Sequence, residues 1–89
     1  MKIALSQINP KTADCKKNLE TINKELAQTN SDVLQVFPEL SLCGSPLFAL
    51  SDYQDTYTTS MSCAEELSNQ NKDFIFGMPI KQDGKAYNA

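Results

Sequence analysis

The sequence predicts an α/β fold in which parallel strands alternate with helices, in the order βαβαβ. Three observations carry this: a short apolar strand at the start, an amphipathic helix behind it, and a second valine- and leucine-rich strand after the helix. Two strands joined by a helix pair in parallel through a right-handed crossover.

The elements follow in order. "KIALSQI", residues 2–8, opens apolar and then alternates, as a buried first strand does. "NPKTAD" carries turn residues and a proline, and Asp14 is placed to cap the next helix with its carboxylate. From Cys15 to about Thr29, Leu19, Ile22 and Leu26 recur at helical spacing, with Lys16, Lys17, Glu20, Lys24 and Glu25 mostly on the other faces. "SDVLQVF", residues 31–37, is the second strand. Between Glu39 and Ser60 lie roughly twenty residues without periodicity, a length that marks a functional or disordered loop. Ser62 and Glu65 read as a capping box opening a second helix that runs to about Asn71. "DFIFGMPI", residues 73–80, is a third buried strand. Asp83–Gly84 is a hairpin signal, and "KAYNA" begins a fourth, antiparallel strand.

Composition removes several function classes. The 89 residues carry a net charge of −3 and no arginine, so neither a nucleic-acid footprint nor bidentate phosphate recognition is offered. No histidine occurs, which excludes Ser-His-Asp and Cys-His units built from this chain alone. Cys15, Cys43 and Cys63 are widely spaced with no CxxC pair, so a structural metal site is weakly supported. An odd cysteine count and the absence of a signal-like N-terminus point to a reducing, cytoplasmic compartment. No apolar window reaches membrane-spanning length.

The chain stops inside a predicted strand, which leads us to expect the N-terminal piece of a larger domain. The alternative is a complete small domain with a tail at 86–89.

Glu39 is the candidate with chemistry. It follows Pro38, which fixes its own φ, donates no hydrogen bond and pushes Phe37 toward extended backbone. The carboxylate therefore sits at the carboxyl end of a parallel strand, where open α/β sheets place their crevices. Walls of Phe37, Leu40, Leu42 and Phe48 would desolvate it toward general-base range. A glutamate past a strand end is otherwise a solvated surface residue. Cys43 reads first as a small apolar loop residue, because no activating group is near it in sequence. Tyr53, Tyr57 and Tyr87 read first as rim packing.

Three blocks add a resemblance. "MKIALSQINPKTADCKKNL", with Asp14 and Asn18 at the helix start, "VFPELSLCGSPLFAL" and "FIFGMPIKQDGKAYNA" together resemble the opening of nitrilase (carbon-nitrogen hydrolase) domains. Among these the likeness is greatest to the glutaminase domains of glutamine-dependent NAD synthetases. The resemblance implies a four-layer α-β-β-α sandwich and a Glu-Lys-Cys triad that hydrolyses glutamine to glutamate and ammonia. Glu39 matches the base position; the lysine and the nucleophilic cysteine would come from beyond residue 89. Ser45 stands where the family usually has a pocket-wall tyrosine, which leaves the amide substrate open. The resemblance further implies no cofactor for this domain, with ATP and Mg only in a downstream synthetase domain. The expected partners are the remainder of its own domain, a small-molecule amide such as glutamine, and further copies of itself in a homo-oligomer. Taken alone, the 89 residues are expected to be inactive and prone to self-association. The alternatives are a piece of another nitrilase-family amidase, or a non-catalytic interaction module.

Overall fold

The computed structural model describes residues 1–44 and 54–89. Its elements are β1 (Lys2–Leu5), α1 (Cys15–Ala27), β2 (Val33–Val36), α2 (Gln54–Ser68), β3 (Phe74–Ile75), β4 (Pro79–Gln82) and β5 (Lys85–Asn88). The first three strands form a parallel sheet in the order β1-β2-β3, and β4 and β5 form a separate antiparallel pair. The mixed α/β class and the parallel β1–α1–β2 unit expected from the sequence are present. Among the described residues no helix is long and apolar enough to cross a membrane.

Strand order decides where the helices lie. The chain moves from β1 to β2 to β3 without reversing, so two right-handed crossovers place α1 and α2 on one side of the sheet. Burial agrees. Gln35 and Phe37 are buried, and Phe37 joins the core made by Cys15, Leu19, Ile22 and Leu26 of α1 and Cys63 and Leu67 of α2. Gln35 is a polar residue inside that layer, satisfied because its Nε2 donates to Ser6 Oγ at 2.6 Å and its Oε1 accepts from Thr29 Oγ1 at 2.8 Å.

Helix α1 begins where its sequence says. Asp14 Oδ1 accepts from the Lys17 backbone N–H at 3.1 Å, satisfying one orphan donor of the first turn. At the other end Gln28 and Thr29 tighten into i→i+3 bonds with the carbonyls of Glu25 and Leu26, so the helix stops two residues short of the expected end. Lys72 Nζ then donates to the carbonyls of Leu26 and Thr29, placing a cation at the helix C-terminus.

Four expectations are corrected. Helix α2 starts at Gln54, so Ser62 and Glu65 lie in its interior and cap nothing; the Thr56, Thr58 and Thr59 run, poor in helix propensity, concealed its first turns. The stretch from Glu39 to Ser60 is consequently not one long loop. The 73–80 strand is two strands facing different partners: β3 pairs with β2, while β4 pairs with β5. Gly77 and Pro79 divide them, since Pro79 has no N–H for a ladder and Gly77 is pressed against the turn after β2. The first strand ends at Leu5, with one further bond from Ser6 N–H to the Val36 carbonyl, because Pro38 ends the neighbouring strand.

The β4–β5 hairpin matches its sequence signal. Asp83 and Gly84 have φ of 52° and 76°, the left-handed pair of a type I′ turn, and Gly84 supplies that conformation at little steric cost. A two-residue turn fixes the register, placing Asn88 opposite Pro79.

Candidate active site

The last ladder bond of β2 runs from Phe37 N–H to the Ile75 carbonyl at 2.9 Å. Pro38 follows with no donor, and the chain turns through residues 39–43. Leu40 has a φ of 49°, a left-handed conformation that costs a non-glycine residue on the order of 1 kcal/mol and persists only where surroundings impose it.

The surroundings that impose it are visible. Gly44 N–H donates to the Leu40 carbonyl at 2.7 Å, closing the turn, and Leu42 N–H donates to the Gly77 carbonyl at 3.1 Å. Gly77 N–H donates to Ser41 Oγ at 3.2 Å. A Cβ on Gly77 would lie 2.4 Å from the Leu40 nitrogen, so only glycine lets the two backbones meet. Asn18, buried in α1, completes the clamp. Its Oδ1 accepts from Lys11 N–H at 2.7 Å, and its Nδ2 donates to the carbonyls of Lys11 at 2.8 Å and Leu42 at 3.0 Å. The Ala13 N–H also donates to the Cys43 carbonyl, at 2.7 Å.

On this rigid turn Glu39 points outward. Its carboxylate is exposed, and Asn88 of β5 donates a side-chain N–H to Glu39 Oε1. The expected apolar enclosure is not formed by Phe37, Leu40 and Leu42, which turn inward and belong to the core. Phe48 and Ser45 lie outside the described residues, as does Tyr53. Tyr87 is 47% exposed on β5, and Tyr57 falls in the first turn of α2. No reversal of strand order occurs among β1, β2 and β3, so the crevice-forming switch point of doubly wound sheets is not what sets Glu39 apart. The hairpin beside the strand ends does that instead.

The three thiols are buried and free. Burial pushes the Cys43 thiol up to about 11, reinforced by neighbouring Cys15, and its S–H donates to the Gly44 carbonyl at 3.0 Å. Burial likewise raises Cys15, whose sulfur shares a hydrogen bond of 3.2 Å with Ser60 Oγ that partly opposes the rise. Burial also raises Cys63, helped by Cys15 and Glu66. Such thiols stay protonated and are poor nucleophiles. Among the described residues no cluster of His, Cys, Asp and Glu is arranged to hold a metal.

Comparison adds no neighbour. No family model, curated protein or solved structure matches the chain. What can be said of the site therefore rests on its residues. Two of them, Asn88 and Gly77, carry no role in the sequence reading. Asn88 was within reach of it: the Asp83–Gly84 turn sets the hairpin register, and the register puts Asn88 beside the strand break.

Proposed function

We propose that the chain is the N-terminal portion of a nitrilase-type amidase domain, with the α-β-β-α sandwich of that family, and that Glu39 is its general base. The observation that carries this reading is the geometry of the turn. An exposed carboxylate stands on a strained, over-determined backbone and accepts a hydrogen bond from a second element. Strain of this kind collects where a side chain must be aimed. A carboxylate held this way can take a proton from a nucleophile and return it to a leaving group or a water.

The substrate class we assign is a small amide, with glutamine first and its ammonia passed to an ATP- and Mg-dependent amidation elsewhere in a longer protein. The lysine and nucleophilic cysteine of the triad are assigned to residues outside this chain. Cys15, Cys43 and Cys63 are unsuited to the nucleophile's role, being buried and held protonated. The 89 residues alone are accordingly proposed to be inactive toward amides.

The test is Glu39→Gln in a form of the protein long enough to hydrolyse glutamine. Loss of the base is expected to lower glutamine hydrolysis by roughly 10²–10⁴-fold while synthesis from added ammonia continues. Hydrolysis within about threefold of the parent would remove Glu39 from the role, since no general base is worth so little.

A further inference from the structure

Asn88 and Glu39 are carried on one continuous frame. The two-residue turn at Asp83–Gly84 sets the hairpin register and places Asn88 opposite Pro79. One position further on, Met78 N–H donates to the Ala89 carbonyl at 2.9 Å and Ala89 N–H donates to the Met78 carbonyl at 3.0 Å. Bonded and non-bonded pairs alternate along an antiparallel ladder, so Pro79 faces Asn88 where no N–H is required. Gly77, the residue before Met78, is fastened to the turn that carries Glu39. Its carbonyl accepts from Leu42 N–H at 3.1 Å, and its N–H donates to Ser41 Oγ at 3.2 Å. The bonds that fix the Glu39 turn and those that fix Asn88 thus meet on consecutive residues, Gly77 and Met78.

Across this frame the Asn88 Nδ2 group donates to Glu39 Oε1. Both residues are exposed, and an exposed glutamate without such a partner samples several staggered rotamers. The bond selects among them. A carboxylate has two oxygens, and a donor on Oε1 leaves Oε2 to face another group. The donor is also neutral. A lysine in its place would favour the ionised carboxylate and make it a poorer proton acceptor, whereas a carboxamide orients the group without a full charge.

We propose that Asn88 is a positioning residue for Glu39, holding Oε1 so that Oε2 is the atom that exchanges protons with the reacting groups. The proposal rests on the reading of Glu39 as general base and adds the element that aims it. During amide cleavage Oε2 takes the proton of the attacking thiol, and that proton departs with the ammonia. The carboxylate returns to its ionised form, and the bond from Asn88 persists throughout. Misplacing a reacting group by about 1 Å can lower a rate by about 10²-fold, which sets the scale of the effect.

Two variants separate orientation from packing. Asn88→Ala removes the donor, while Asn88→Asp keeps the shape and sets a second carboxylate beside the first. In the 89-residue chain, NMR three-bond couplings of the Glu39 side chain should report one dominant rotamer. Both variants should average those couplings, with the melting temperature within about 2 °C of the parent. In a form of the protein long enough to hydrolyse glutamine, Asn88→Ala should lower kcat by roughly 10- to 100-fold, with KM within about threefold. Asn88→Asp should lower kcat further through like-charge repulsion, whereas a packing role would spare the variant of unchanged shape. Averaged Glu39 couplings in the parent chain overturn the proposal. So does a kcat within about threefold of the parent in Asn88→Asp when Glu39→Gln is inactive, a result that leaves Glu39 as base. Hydrolysis that survives Glu39→Gln removes the base, and the positioning role falls with it.

Discussion

Asn18 shows how much one polar side chain can organise. It is 2% exposed, and its carboxamide joins α1, the segment before it and the turn that carries Glu39. Replacing it by Leu keeps the branched shape at a larger volume and strands one backbone N–H and two carbonyls away from protein partners. Each unsatisfied buried group costs about 1–3 kcal/mol, and water can recover part of this. Asn18→Leu is expected to lower the melting temperature by roughly 10 °C or more, read by thermal circular dichroism. A variant melting within about 2 °C of the parent would show that the clamp contributes little. The sequence made Asn18 visible as part of a motif, but its three partners are set by loop geometry that no periodicity encodes. Leu40 was less visible still, because leucine is an unremarkable residue and nothing local calls for a positive φ. Ser60 was hidden too, since a serine in a threonine-rich run carries no sign that it meets a cysteine 45 residues away.

Among the elements, the hairpin is the one whose chemistry is most local. Gly84 meets nothing within 4 Å of an added Cβ, so a substitution there pays only for its backbone conformation. Gly84→Ala is expected to destabilise by about 1–2 kcal/mol, and Gly84→Asn by less, because asparagine tolerates the left-handed region. Urea midpoints compare the two; equal losses would mean that the turn is not of this type. Local signals also explain which elements the sequence revealed. Asp14, the Leu19–Ile22–Leu26 stripe and Asp83–Gly84 act within a few residues of themselves, and all three are found as expected. The start of α2 was missed because a serine with a glutamate three residues on is a cap only if the chain is not already helical. The division of residues 73–80 depends on the close approach of Gly77 to Leu40, a contact between segments 37 residues apart in sequence. Pro79 was the available warning.

For the molecule as a whole, the three buried thiols link stability to alkaline pH. A thiol whose pKa is raised on folding stays protonated in the native state while the unfolded chain ionises, so stability is full below about pH 8.5. It then falls as pH rises through the native values. For Cys43, raised from 9.0 to about 11, the loss is roughly 2–3 kcal/mol, with Cys15 and Cys63 adding in the same direction. Urea unfolding at pH 7.5 and pH 10.5 under reducing conditions should show a lower midpoint at the higher pH. A triple Cys→Ala variant should lose much of that difference, and an unchanged slope in it would assign the effect to other groups. The α/β class was legible because periods of two and 3.6 alternate along the chain. The strand order β1-β2-β3 was not, because it is decided by pairings between distant segments and leaves no mark in hydropathy.

The bond between Asn88 and Glu39 has a kinetic meaning as well as a geometric one. The partners are 49 residues apart, and Asn88 is in place only when β5 lies along β4. A hairpin with a type I′ turn closes in about 1–10 µs, whereas β1 and β2 must first bring together residues separated by a helix. The hairpin can thus exist before the sheet, but it has no carboxylate to grip until β2 has stopped at Pro38. The bond thus requires both the closed hairpin and the β2 stop, and a probe of it would report that the two have met rather than that either has formed.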